Sequence, residues 1–282
     1  MTLSSSSPPL RQVRGPSAVS GDFSRFVVLT RRIAVMEFKL RFFGSVLGYL
    51  WQLMRPLMLF GVLYVIFTTV VKFDAPHYPV MLLLGIVLFT FVAESVSSAV
   101  GSVLDRENLV RKIQFPRLVI PLAVVLTALF SLGLNLIVVL IFALLQGVTP
   151  RWSWLELVPL VGLLIVLTTG FAMLVSALYV RMRDIRPISD VLLQIGFYSS
   201  PILFPLEKIT PEWLAKAMII FNPFAAILQQ LRHAIVDPTS PSAAAAAGGA
   251  IRLLVPLSII VVVFAVGFRV FNRAAPHIAE DL

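Results

Sequence analysis

Cysteine is absent from the chain, which excludes a disulfide framework, a thiol nucleophile and a thiolate metal site. Charge is scarce as well. Only 13% of the 282 residues are Asp, Glu, Lys or Arg, against 59% hydrophobic, whereas a soluble domain is about a quarter charged and roughly 45–50% apolar. That balance excludes an ordinary soluble enzyme and implies a polytopic membrane protein. The three histidines (His77, His233, His277) are far apart. HExxH, GxSxG and Asp-rich phosphate motifs are missing, and so is a GxxxxGK[ST] loop. No catalytic residue, metal or cofactor is therefore expected in this chain; any ATP and Mg would be bound by a partner that supplies ATP-driven work. The net charge of +9 is not a nucleic-acid signature, because in a membrane protein the location of basic residues matters more than their sum.

What is present is a series of long apolar runs. Residues 1–20, rich in Ser, Pro and Arg, read as a disordered cytoplasmic tail. Residues 21–274 read as one transmembrane domain and 275–282 as a second cytoplasmic tail. Within the domain, Phe26, Leu29, Ile33, Met36, Leu40 and Phe43 recur at helical spacing over 21–46, with Arg31, Arg32 and Lys39 off that stripe. This predicts an amphipathic helix at the membrane interface or one packed under the bundle. Spans are predicted at about 48–71, 80–103, 118–145, 155–180, 188–204 and 253–271. The fold class is thus an all-α membrane protein of six transmembrane helices. Residues 206–238 hold an apolar stretch that Asn222-Pro223 cuts into pieces too short to span, which predicts two short external helices. The Ala-rich segment Thr239–Gly249 reads as a flexible external linker.

Six spans put both termini on one side. Of the 23 Lys and Arg residues, all but Lys72, Arg151, Lys208, Lys216, Arg232 and Arg252 fall on that side. By the positive-inside rule the termini are cytoplasmic.

The fifth span is unusual. After the turn bearing Arg181, Arg183, Asp184 and Arg186, an apolar run of 17 residues carries Ser189, Asp190, Gln194, Ser199 and Ser200. It is short against a hydrocarbon core of about 30 Å, and its polarity suits a bundle interior or a water-filled path. Glu94 lies deep in the second span, where a charge must pair, face inward or be protonated; a structural and a transport role both remain open. Asn135 in the third span is expected to hydrogen-bond between helices. The segment Asp105–Pro116 has acidic residues first, basic residues last and a closing proline, the charge order of a helix. It reads either as a docking element for a soluble partner or as a solvated loop.

Several ordered blocks resemble the ABC-2 type polysaccharide and teichoic-acid export permeases. They are Phe38–Pro56 (FKLRFFGSVLGYLWQLMRP), Asn108–Arg117 (NLVRKIQFPR), Tyr179–Ile185 (YVRMRDI), Phe197–Pro205 (FYSSPILFP) and Asn222–Phe224 (NPF). Phe42 and Met182 stand where the family usually has aromatics such as tyrosine. The resemblance implies a homodimer in the bacterial cytoplasmic membrane, carrying two copies of a cytoplasmic ABC ATPase. Arg106, Asn108, Leu109, Arg111, Lys112, Phe115 and Pro116 would then belong to the ATPase-coupling loop. The first and fifth spans would border the substrate path, with Arg41, Tyr49, Trp51, Arg55, Glu94, Gln194, Phe197 and Tyr198 as candidates. Pro201, Pro205, Asn222 and Pro223 would belong to an external gate. The implied substrate is a polyprenyl-pyrophosphate-linked glycan. A membrane-embedded transferase using Glu94 or Asp190, and an ABC-2 exporter of a drug or small lipid, are the alternatives.

Overall fold

Every regular element among the described residues of the computed structural model, which are 23–42, 46–72, 76–106 and 115–276, is helical. In chain order these are α1 (Phe23–Phe42), α2 (Val46–Val65, extended by a π turn at Ile66–Val70), α3 (Tyr78–Ser102), α4 (Val119–Leu145) and α5 (Leu157–Arg181). There follow α6 (Ile185–Tyr198), α7 (Glu212–Phe221), α8 (Pro223–Leu231, continued by a π turn at Arg232–Val236), α9 (Ala243–Ala247) and α10 (Leu254–Ala274). Five helical segments are long and apolar enough to cross a membrane: Leu50–Val70, Tyr78–Ser102, Val119–Leu145, Trp152–Arg181 and Ala250–Ala274.

The bundle closes around α3. A helix that is apolar on all sides belongs inside, and Leu82, Leu83, Leu84, Ile86 and Leu88 of α3 are all buried. Helices α4 and α5 pack on it most extensively, and α2 and α6 also lean against it. Helix α10 packs on α5 at Gly170 and Gly267, where the two backbones approach too closely for a side chain at either position. Small residues at such crossings let membrane helices gain van der Waals contact without a hydrophobic driving force.

The predicted fifth span differs most from the reading at 188–204. Helix α6 begins at Ile185 and ends at Tyr198, 14 residues in all, about 21 Å of helix. Pro187 lies in the first turn, where a missing N–H costs nothing. At the other end Ser200 Oγ donates to Gly196 O at 2.7 Å, and Pro201 biases the residue before it away from helical angles. Residues 199–204 therefore form an irregular turn.

The interface helix also differs in detail. Helix α1 packs against α4 through Phe26, Thr30 and Ala34, which are buried, while Met36 and Leu40 of the predicted apolar stripe are exposed. Phe38 meets Phe130 edge to face at 5.5 Å, and Thr127 Oγ1 donates to Ala34 O at 3.3 Å. The small Ala34 allows this close approach, which hydrophobicity spacing alone does not rank above a stripe of larger residues.

The Ala-rich stretch is not an irregular linker. Residues Ala243–Ala247 form α9, with Ser242 Oγ accepting from Ala245 N and Gly248 in the left-handed region at the C-terminus. Ala243 and Ala247 are buried, Ala247 against Leu206, Ile219 and Ala225. Alanine has the highest helix propensity, and its small side chain permits packing where the low-complexity reading expected a free chain. Asn135 is also corrected: its amide donates to Ser131 O at 2.9 Å, one turn back in its own helix, rather than across to another.

Candidate functional site

Helices α2, α6 and α10 leave most of their surface uncovered, and α2 and α6 carry the path candidates read from sequence. On α2 the exposed residues Trp51, Arg55, Met58, Val62, Val65 and Thr69 follow steps of three and four, forming one continuous stripe. Pro56, inside the helix, is buried on the opposite side. On α6 only Ser189 is buried, while Ile188, Val191, Gln194, Ile195 and Tyr198 are exposed. In a membrane protein such apolar faces meet either lipid or another subunit. The two helices flank α3, and a polar bond ties α2 to it: Gln52 Nε2 donates to Glu94 Oε2 at 3.0 Å. Glu94 is thus half-buried and partnered. The side chains of Arg41 and Tyr49 lie outside the described residues.

Phe197 and Tyr198, adjacent in sequence, meet edge to face at 5.3 Å but have different surroundings. Phe197 turns inward and packs edge to face on Phe89 at 5.2 Å, and Phe89 packs in the same way on Phe224 of α8 at 5.3 Å. Tyr198 points outward and is 61% exposed. The free aromatic face at this end of α6 belongs to Tyr198.

Beyond Tyr198 the chain enters a hydrogen-bonded junction. Asn222 Nδ2 donates to Ser200 Oγ at 2.9 Å, and its Oδ1 accepts from Ala225 N at 3.2 Å, capping α8. Pro223 occupies the first position of α8, where proline is favoured, and the α7–α8 pair bends by 104° there. The carbonyls of the 199–204 turn are held from two other helices. Tyr78 of α3 donates to Leu203 O at 2.8 Å, and Arg232 donates to Ile202 O at 3.2 Å. Ile202 itself rests on Gly85, where a Cβ would come within 3.0 Å of its Cγ2. Pro201 is buried and Pro205 half-buried at the two ends of the turn. Tyr78, Gly85, Ser200 and Arg232 were not singled out as site residues by sequence. Arg232 carried a signal, being a charge within an apolar run, and Ser200 was one of the polar residues of the short fifth span; Tyr78 and Gly85 carried none.

At the opposite end, the ionic residues converge. Arg106 pairs with Glu37 of α1 and also donates to Ser102 O at 3.0 Å; burial lowers the pKa of its guanidinium. Asp105 Oδ2 and Arg186 Nη2 approach the Cα of Gly101 from one side, 3.1 and 3.3 Å from where a Cβ would sit. Arg183 and Arg186 stack over the buried Tyr179 ring at 5.3 and 5.8 Å, while Asp184 sits exposed at the entrance to α6 without capping it. Arg181 is exposed at the end of α5. The buried Arg117 donates to Ala275 O, tying down the end of α10. Phe115 is buried against Phe26, Met173 and Phe271, with Pro116 half-buried beside it. Asn108, Leu109, Arg111 and Lys112 lie outside the described residues, yet both ends of their segment are anchored in this collar. Among the described residues no group of three His, Asp or Glu side chains is placed to hold a metal ion.

Residues 28–236 match the ABC-2 type transporter family. The chain belongs to that family. As an ABC-2 chain it is an integral membrane transport subunit, and it is similar to several curated proteins. It is 28% identical over 261 residues to the O-antigen export system permease protein RfbA of Klebsiella pneumoniae, covering 92% of this chain and 95% of the relative. It is 29% identical over 208 residues to the O-antigen export system permease protein RfbA of Myxococcus xanthus, covering 73% and 80%. A third relative, the polysialic acid transport protein KpsM of Escherichia coli, is 26% identical over 220 residues, covering 74% and 81%. The matched segment of this ABC-2 chain takes in α2, α6 and the α7–α8 junction, as well as the whole ionic collar up to Arg186.

Proposed function

We propose that two copies of this chain form the membrane part of an ATP-driven exporter that moves a lipid-linked cell-surface glycan outward across a bacterial cytoplasmic membrane. The observation that carries this reading is the similarity to an O-antigen export permease over nearly the full length of both chains. The KpsM match extends the named cargo to a second polysaccharide.

The geometry supports a division of labour. The ionic collar is the positive end of the molecule and, by the positive-inside rule, the cytoplasmic one. There the 107–114 segment engages a cytoplasmic ATPase that binds ATP and Mg, one ATPase for each copy of this chain. Its motion reaches α1 through Arg106–Glu37, and α6 through Arg186, which lies with Asp105 over Gly101. The uncovered stripes of α2 and α6 line the path between the two copies. Arg55, with Arg41, meets the pyrophosphate at entry, and Trp51 and Tyr198, with Tyr49, offer aromatic faces to sugar rings. The turn after Tyr198 and the bent α7–α8 pair form the outer gate.

The test is reconstitution of the chain with its ATPase in vesicles. A polyprenyl-pyrophosphate-linked glycan should stimulate ATP hydrolysis several-fold and become accessible to glycosidase on the far side. Stimulation only by drugs or short lipids would replace this reading with the small-substrate alternative. Glycosyl-transfer activity in the isolated chain would replace it with a transferase, in which Glu94 would first have to give up its bond from Gln52.

A further inference from the structure

The helix that closes the gate carries a second polar feature that the path and the collar do not use. Arg232 is 3% exposed, and its one hydrogen bond among the described residues runs from Nη2 to Ile202 O. Its Nε and Nη1 are buried without a partner. One helical turn earlier, Gln229 is 1% exposed; its amide nitrogen donates to Pro241 O at 2.7 Å, and its Oε1 is left without a donor. Buried polar groups are nearly always hydrogen-bonded, so a small turn of either side chain toward the cavity it borders would satisfy these orphaned donors and the acceptor with an occupant that both accepts and donates.

Both side chains line the same cavity, which lies between the start of α3, the 205–208 turn and the end of α8, and has a volume of about 280 Å³. One water takes up about 30 Å³ of liquid, so the cavity has room for several waters or for one small ring that displaces them. The volume sits just below the ~300–1,000 Å³ of typical small-molecule sites, the size for one small ring rather than an extended chain. The charges around it cancel: Arg232 and Lys208 are cationic, Glu207 and Asp237 anionic. A bare anion gains little from such a balanced set. A neutral ring with hydroxyls on neighbouring carbons gains more, because each hydroxyl can accept from a guanidinium or ammonium and donate to a carboxylate or amide oxygen. Met81 and Val236 supply an apolar wall for the C–H face of the ring.

We propose that this cavity is a saccharide subsite on the outer face, holding one neutral sugar residue of the exported chain as it leaves the gate. The proposal rests on the export reading above. By retaining a ring beside Ile202 and Arg232, the subsite would oppose backsliding of the chain while the gate resets.

The absence of cysteine makes a direct test available. Thr239→Cys places the sole thiol of the chain on the exposed rim of this cavity. In vesicles holding the chain with its ATPase, the rate of reaction with a membrane-impermeant maleimide is measured in glucose, galactose or mannose, in inorganic phosphate, and in betaine at equal osmolality. At least one hexose should slow labelling three-fold or more, with phosphate and betaine near unity. Arg232→Met should abolish that protection. Should that variant fail to fold, Glu207→Gln on the exposed rim should weaken protection at least two-fold with labelling in betaine unchanged. Equal labelling in all solutes, or protection by phosphate alone, would overturn the proposal. If those results came while lipid-linked glycan still stimulated ATP hydrolysis, the subsite would fall and the export reading would stand. Protection by a hexose with no stimulation by glycan would overturn the export role, and with it the subsite as a station for exported sugar.

Discussion

A Cβ placed on Gly267 of α10 would lie 2.2 Å from the carbonyl oxygen of Gly170 of α5. The reciprocal approach is nearly as close: a Cβ on Gly170 would meet the backbone of Phe264 at 2.8 Å. No rotamer relieves a clash with backbone, so the two helices must separate if either glycine gains a side chain. Gly267→Ala and Gly170→Val are therefore expected to destabilise the protein by about 1–3 kcal/mol or more, read as a lower midpoint of thermal unfolding in detergent. Gly133→Ala, on an open face of α4 with nothing within 4 Å of the new methyl, should be neutral or slightly stabilising, since alanine is favoured over glycine within a helix by about 1 kcal/mol. Equal effects at the two sites would mean that the crossing is not tight.

The Arg106–Glu37 pair makes a prediction at the cytoplasmic end. Each side chain is about three-quarters covered, so losing one partner leaves a partly buried charge unpaired. Arg106→Ala or Glu37→Gln should cost about 1–3 kcal/mol, below the full value for a deeply buried pair because some solvent contact remains. If α1 is moved through this contact, glycan-stimulated ATP hydrolysis should fall in both variants while the ATPase still co-purifies. The double variant Glu37→Gln/Arg106→Ala should lose less than the sum of the two single changes. Additive losses would show that the ions act independently.

Asn222 does two jobs that substitution can separate. Its Oδ1 caps α8 and its Nδ2 reaches Ser200 Oγ. Asn222→Ala removes both and should cost about 1–2 kcal/mol. Asn222→Asp keeps the cap acceptor but loses the amide donor, so stability should recover most of the way. If the bond to Ser200 governs the gate, export should stay impaired in Asn222→Asp despite that recovery. Parallel recovery of stability and export would assign Asn222 to capping alone.

Phe197 and Tyr198 should give opposite phenotypes. Phe197→Ala removes a ring packed on Phe89 and should cost about 3 kcal/mol or more in stability. Tyr198→Ala removes a ring that is mostly exposed within one chain. It should cost the isolated subunit no more than about 1 kcal/mol, for the lost edge contact with Phe197, and reduce glycan export. A larger drop in stability for Tyr198→Ala with normal export would make that ring part of a packing surface instead of the path.

The amino-acid sequence by itself determined the membrane character, the long spans and the break at Asn222-Pro223. Those features rest on local physics: a long apolar run must leave water, and a proline interrupts a helix wherever it falls. It also carried the family, through ordered blocks spread over most of the chain. Tertiary structure decided what local pattern could not rank. The packed face of α1 runs through Thr30 and Ala34 rather than Met36 and Leu40, because close approach to α4 selects small residues over hydrophobic ones. Helix α6 stops at Tyr198 because the turn after it is held by Tyr78, Asn222 and Arg232, all distant in sequence. The Ala-rich segment folds because a pocket around Leu206 and Ile219 receives it. The orphaned atoms of Arg232 and Gln229 exist only in three dimensions, since whether a polar group finds a partner depends on neighbours that the linear chain does not name.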